Sequence, residues 1–179
     1  NEMTVNGESF VYEGHSVDFF TEQAVAYIEA RAGQPEEPFL LLLPYNGPYG
    51  HWPSIKGKAK HRFGDLYDQT PMHSVPREGI CKDAIRLYEM NREFMDTKEG
   101  GADFSARLQI PNDLASLRNY YSQMSRIDDG VGQVLDALAK GGLDGDTMVI
   151  FTADHGFSLG HHGFWGHGQA TWPSNMFRI

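Results

Sequence analysis

Four of the eight histidines in this chain fall between His155 and His167, interleaved with glycines at 156, 160, 163, 166 and 168. Asp154 immediately precedes the first of them. A carboxylate beside an imidazole offers a hard oxygen and a nitrogen, both ordinary ligands of a divalent metal. The glycines permit tight turns and close approach of backbone to a ligand. The same residues admit a plainer reading, in which Asp154 caps a turn and the histidines are solvated or satisfied in the core. A second cluster, Pro48-Tyr49-Gly50-His51-Trp52-Pro53, holds an imidazole able to bind an anion and transfer a proton near neutral pH.

Both clusters follow apolar runs. Phe39 to Leu43, fenced by Pro38 and Pro44, reads as a strand covered on both faces, and Thr147 to Phe151 as a second. A helix is expected from Ser16 as N-cap to Gly33, with Phe20, Ala24 and Ile28 on one stripe and Asp18 and Glu22 at its positive end. A longer helix follows Pro111, capped by Asn112. In it Leu114, Leu117, Tyr121, Met124, Ile127, Val131, Val134 and Leu138 recur at helical spacing until Gly141-Gly142. A third helix is expected over 82–94, broken by Gly100-Gly101, while the first fourteen residues read as loop or edge. Strand, long helix and strand in this order indicate an α/β architecture with a mostly parallel sheet flanked by helices. Ligands bind beyond the carboxyl ends of such strands, where both clusters lie.

Thr152 to Gly166, TADHGFSLGHHGFWG, resembles the sulfatase stretch T-S-D-H/N-G-x-x-L-G-E-H-G-L-W-G-K. Tyr121 to Leu138 resembles the helix preceding that strand in sulfatases, and Phe39 to Pro48 the strand and loop that deliver a substrate-binding histidine. The similarity covers residues 10–53 and 112–179 and is loose over 54–111. It implies the alkaline phosphatase-like superfamily, whose sulfatases hydrolyse sulfate esters at one divalent metal, usually Ca2+, with a formylglycine made from Cys or Ser. By position Asp154 and His155 would be metal ligands. The implied substrate is a sulfated small molecule or polysaccharide, and a periplasmic or secreted location fits the resemblance.

Three departures bear on the site. His167 stands where the family has a lysine; it can donate a hydrogen bond or, protonated, a proton to the leaving oxygen, and the alternative is a supporting role. The family's P-H-x-P loop is altered, so that either His51 or Tyr49 takes the histidine's place; chemistry favours His51. No C/S-x-P-S-R motif is present, and Cys81, followed by Lys82-Asp83-Ala84, is not a formylglycine site but a small buried group on a helix. The paired aspartates of the family's metal site are missing too. The expectation is therefore a partial catalytic domain over residues 1–179, its middle and C-terminal part, with nucleophile and formylglycine upstream and no second domain. Such a piece alone should be inactive, bind metal weakly and self-associate through an exposed sheet edge.

A net charge of −9 excludes a nucleic-acid binder, which needs a basic surface, but not an anionic substrate at a metal. No apolar run is long enough to span a bilayer, so no membrane partner is expected. Two other functions share these residues: a phosphodiesterase or phosphonate hydrolase of the same superfamily, and a non-catalytic metal-binding module. His15, His61 and His73 read as solvated, and Lys56, Lys58, Lys60 and Arg62 as a solvated basic stretch.

Overall fold

In the structure, a computed structural model, residues 2–34, 36–48, 61–73, 114–159 and 165–166 are described. The expected helix over 82–94, the Asn112 cap and Cys81 lie outside them. The chain divides into two compact units, Asn1–Tyr49 with Gln123–Ile150, and Gly50–Ser122 with Phe151–Ile179.

The first unit opens with an antiparallel hairpin, β1 (Glu2–Val5) and β2 (Glu8–Val11), in the stretch that reads as loop or edge. Asn6 and Gly7 both take positive φ, 53° and 88°. That pair of left-handed residues matches the right-handed twist of the strands, and Asn-Gly adopts it at low cost. Phe10 and Tyr12 lie edge-on to Phe19 of α1 (Ser16–Ala32), with centroids 5.7 and 5.2 Å away. The N-cap of α1 is His15 rather than Ser16: its Nδ1 accepts the Val17 N–H at 3.2 Å. His15 is thus a capping residue, not a solvated one. The helix stops at Gly33 as the sequence suggests.

The long helix, α2 (Leu114–Lys140), passes through both units. Its end is a Schellman motif. Leu143 N–H bonds Leu138 O at 3.0 Å and Gly142 N–H bonds Ala139 O at 3.1 Å, with Gly142 at φ 67°. Leu143 packs on Ile28, Ala137 and Leu138, the contact that usually accompanies this cap. The buried face of α2 differs from the apolar stripe. Leu117, Ile127 and Leu138 are buried, but Met124 is 40% exposed, while Asn119, Ser122, Gln123 and Arg126 are buried.

Polar atoms accordingly hold α1 to the 123–140 part of α2. Arg126 donates through Nε and Nη2 to the two carboxylate oxygens of Asp18, a bidentate pair with geometric specificity. Nearby, Thr21 donates to Val17 O at 2.8 Å and lies 2.8 Å from Tyr45 Oη. Since the single hydroxyl proton of Thr21 goes to Val17, Tyr45 is the donor to Thr21. Gly130 leaves room for both hydroxyls: a Cβ there would sit 2.6 Å from Thr21 Oγ1 and 2.9 Å from Tyr45 Oη.

The segment 39–47 alternates, odd positions covered and even ones exposed. Phe39 and Leu41 pack on Ile28, Ala137 and Leu138, whereas Leu40 and Leu42 are 92% and 84% exposed. It is covered on one face, not two. Met148, Val149, Ile150 and Phe151 are exposed. Neither segment carries a ladder, and among the described residues the pairings are antiparallel, so the expected parallel sheet is not found there. The physical reason is direct: a strand needs a second backbone to bond, and these two have none among the described residues.

Gly132 of α2 has open space around it, unlike Gly130. Gly132→Ala should stabilise by about 0.5–1 kcal/mol through helix propensity, while Gly130→Ala should destabilise by about 1–3 kcal/mol through overpacking, both read by urea unfolding. Burial pushes the phenols of Tyr45 and Tyr121 above their ordinary value of 10.0. A phenol held protonated by folding contributes fully below its unfolded value, and that contribution is lost as pH rises through the folded one. Thermal stability should therefore fall above about pH 10, less steeply in Tyr45→Phe and Tyr121→Phe, as alkaline melting curves would show.

Candidate functional site

The second unit holds the described part of the site. Around the first turns of α2, Leu117 and Leu159 form a buried cluster flanked by Tyr120, Tyr121 and Phe157. The Phe157 ring lies 5.2 Å from that of Tyr120. Leu159 belongs to β3 (Ser158–Leu159), which pairs antiparallel with β4 (Trp165–Gly166). These contacts anchor the chain immediately after Asp154-His155-Gly156. The pair therefore sits between an exposed apolar segment and a buried apolar anchor.

Asp154 and His155 turn towards each other. His155 Nε2 lies 3.7 Å from Asp154 Oδ2, with the Asp154 side chain 88% exposed and that of His155 24% exposed. Asp154 Oδ1 accepts the His155 backbone N–H at 2.9 Å, so the carboxylate also closes a local turn. His155 Nδ1 is 2.9 Å from Gly156 O. A carbonyl only accepts, so Nδ1 carries the proton there and Nε2 is the basic nitrogen of the neutral ring. A histidine that binds metal commonly fixes its other nitrogen on a carbonyl in this way. The 3.7 Å gap exceeds a hydrogen bond, yet both atoms are within reach of one cation at ordinary ligand distances of ~2.0–2.6 Å. The donor chemistry fits a divalent ion, with two ligands; among the described residues no group of three such side chains occurs. Tyr49, His51 and His167 lie outside the described residues.

One expected bystander is engaged. His61 Nδ1 accepts the Phe63 N–H at 3.2 Å, which leaves Nε2–H to face Ser122 Oγ at 3.4 Å, while Ser122 donates to Asn119 O at 2.8 Å. His61 is thus tied to α2 rather than solvated. Arg118 reinforces the same region by donating through Nε and Nη2 to Thr70 O, at 3.2 and 2.9 Å. Neither link was read from the sequence. The available signal was a set of polar residues at helical spacing, Asn119, Ser122 and Arg126, beside the apolar stripe of an amphipathic helix.

A family model described as Sulfatase matches residues 2–179. Among curated proteins, the chain is 29% identical over 167 residues to a "Multifunctional alkaline phosphatase superfamily protein PehA" of Trinickia caryophylli, covering 90% of this chain and 30% of that one. It is 29% identical over 132 residues to a choline-sulfatase of Rhizobium meliloti, covering 74% and 24% respectively. To an iduronate 2-sulfatase of Mus musculus it is 29% identical over 152 residues, covering 81% and 26%. The chain thus spans about a quarter to a third of the length of these relatives. No solved structure matches it significantly. The geometry at His155 gives a direct expectation: nitrogen-15 NMR of the neutral ring should show the Nδ1–H tautomer, and the opposite tautomer would remove the donor offered to a metal.

Proposed function

Because the chain belongs to the sulfatase family, we propose that the protein containing it hydrolyses a sulfate ester of a sugar or an aryl alcohol. The match over residues 2–179 carries this reading, and the facing of Asp154 and His155 supports it. The family implies an alkaline phosphatase-like α/β fold, a divalent metal and a formylglycine nucleophile. In the finer reading, residues 1–179 are the middle and C-terminal part of the catalytic domain. The segments 39–43 and 147–151 are then strands of a parallel sheet, and Leu40, Leu42, Met148 and Ile150 are covered by the rest of the domain.

Asp154 Oδ2 and His155 Nε2 are the metal ligands of this chain, and the ion is Ca2+. When bound, the cation supplies orientation of the nucleophile and neutralises charge on the sulfuryl oxygens. His51 binds the sulfuryl group, with Tyr49 the competing candidate. His167 takes the place of the family's lysine and donates a proton to the leaving oxygen as the sulfur–oxygen bond breaks. The nucleophile comes from elsewhere in the protein. The 179-residue chain alone is inactive, binds metal weakly and associates through its exposed apolar segments.

The deciding experiment is an assay of the full-length protein with an aryl sulfate and, in parallel, an aryl phosphodiester. Sulfate release that is lost to a chelator and restored by Ca2+ is expected, with Asp154→Ala lowering kcat/KM by about 10²–10³-fold. Cleavage of the phosphodiester alone would overturn the sulfatase reading, and turnover of the sulfate by the isolated chain would overturn the placing of the nucleophile outside it.

A further inference from the structure

The orientation of His155 is set by the residue that follows it. Its Nδ1 lies 2.9 Å from Gly156 O, so that carbonyl decides which ring nitrogen keeps the proton and which is offered outward. A glycine has no side chain with which to fix its own carbonyl. The Gly156 carbonyl, however, shares one planar peptide unit with the Phe157 nitrogen, and the two turn together. Phe157 is well held. Its ring lies 5.2 Å from that of Tyr120 on α2, at an interplanar angle of 34°, and it packs on the buried pair Leu117 and Leu159. Tyr120 is itself braced: its ring centroid stands 6.2 Å from that of Tyr121, which is 5.7 Å from that of Tyr67. All of these residues belong to the second unit. A chain of ring contacts therefore runs from the 61–73 segment through α2 to the peptide that directs the His155 imidazole.

We propose that Phe157 and Tyr120 are positioning residues for the metal ligand His155, their ring contact holding the Gly156 carbonyl where it fixes the Nδ1–H tautomer and leaves Nε2 facing Asp154. This rests on the reading of Asp154 and His155 as ligands given above. Without the ring contact the Gly156–Phe157 peptide is freer to rotate, and the imidazole then shares its proton between both nitrogens. A ring protonated at Nε2 must move that proton before it can bind a cation, so affinity falls. Partners directly behind a metal-binding imidazole are worth about 10–100-fold in affinity. The ring pair acts one step further back, and a loss of about three- to tenfold is expected. A role in stability alone predicts a lower melting temperature with tautomer and affinity unchanged.

The test uses the full-length protein, labelled with nitrogen-15 at histidine, and the His155 signal is assigned by its loss in His155→Gln. Two quantities are read: the tautomer ratio of the neutral ring in metal-free protein, and the Kd for Ca2+ by calorimetry. Phe157→Ala should shift the ring towards the Nε2–H form and raise Kd about three- to tenfold. Tyr120→Ala removes the same contact from the helix side, should do the same, and serves where Phe157→Ala does not fold. The double variant should be no worse than either single one, because both remove one contact. Tyr120→Phe keeps the ring and should match the wild type. Arg118→Ala, which removes the bonds to Thr70 O elsewhere on the same turns of α2, should lower the melting temperature and move neither quantity. A tautomer ratio unchanged in Phe157→Ala and Tyr120→Ala, additive losses in the double variant, or an Arg118→Ala protein shifted as far as Tyr120→Ala would each overturn the positioning role. Failure of the wild-type protein to bind Ca2+ would instead sink the ligand reading, while the tautomer ratio still decides whether the ring pair directs the imidazole.

Discussion

The first unit depends on the close approach of α1 to α2 at Gly130. A helix-interior glycine ordinarily weakens a helix, since the unfolded chain gains freedom and no side chain packs. Here the missing Cβ is the space in which the Thr21 and Tyr45 hydroxyls meet. Along the same seam Arg126 and Asp18 form their two-pronged pair, with the Arg126 side chain only 10% exposed. Partly buried ion pairs of this kind add little net stability, because desolvation offsets much of the attraction. Their directional bonds nonetheless penalise a slip of one helix along the other, which apolar contacts alone resist weakly. Further along, the seam turns apolar, with Ile28 against Ala137 and Leu138, and the Schellman turn at Gly142 folds Leu143 back onto it.

The extent to which the sequence revealed this varies with the range of the interaction. Helix limits were legible because caps and breakers are local: Gly33 and Gly141-Gly142 stop the two helices where expected. The hairpin at Asn6-Gly7 was equally local and was available in the dipeptide itself, but the polar residues around it hid the alternation. The buried polar stripe on α2 could not be read so simply. Asn119, Ser122, Gln123 and Arg126 look like a solvated face until their partners are known, and Asp18 is 108 residues away from Arg126 in the chain. Met124, apolar and in register with the predicted core, faces outward for the same reason: the polar stripe had already taken the buried side.

The two apolar segments illustrate a different limit. Five apolar residues from Phe39 to Leu43 indicate burial, but not how many faces are buried or by what. The helices cover the odd-numbered side, and the exposed Leu40 and Leu42 show that the other side is a separate matter of packing. For the site, adjacency in the chain sufficed to bring Asp154 and His155 together, since neighbours can share one turn. Their chemical role, by contrast, came from the resemblance, not from spacing. A carboxylate and an imidazole 3.7 Å apart could equally form a local ion pair once the ring is protonated.

On the proposed reading, the incomplete sheet and the two-ligand metal site are one physical problem. Two donors hold a divalent ion weakly, because most of its coordination remains with water and each added carboxylate strengthens the field at the ion. The segment that presents Asp154 is Met148 to Phe151, whose apolar side chains are exposed along its length. A polypeptide that covers those side chains and pairs with their backbone would run beside the segment and end near the same rim, bringing its own polar residues to the ion. Burial would then supply the favourable free energy for ordering the strand, and the ordered strand would fix the direction of the carboxylate. On that reading metal affinity and completion of the sheet would be linked, since whatever stabilised the paired strands would tighten the site and an ion held at the rim would stabilise the strands in return.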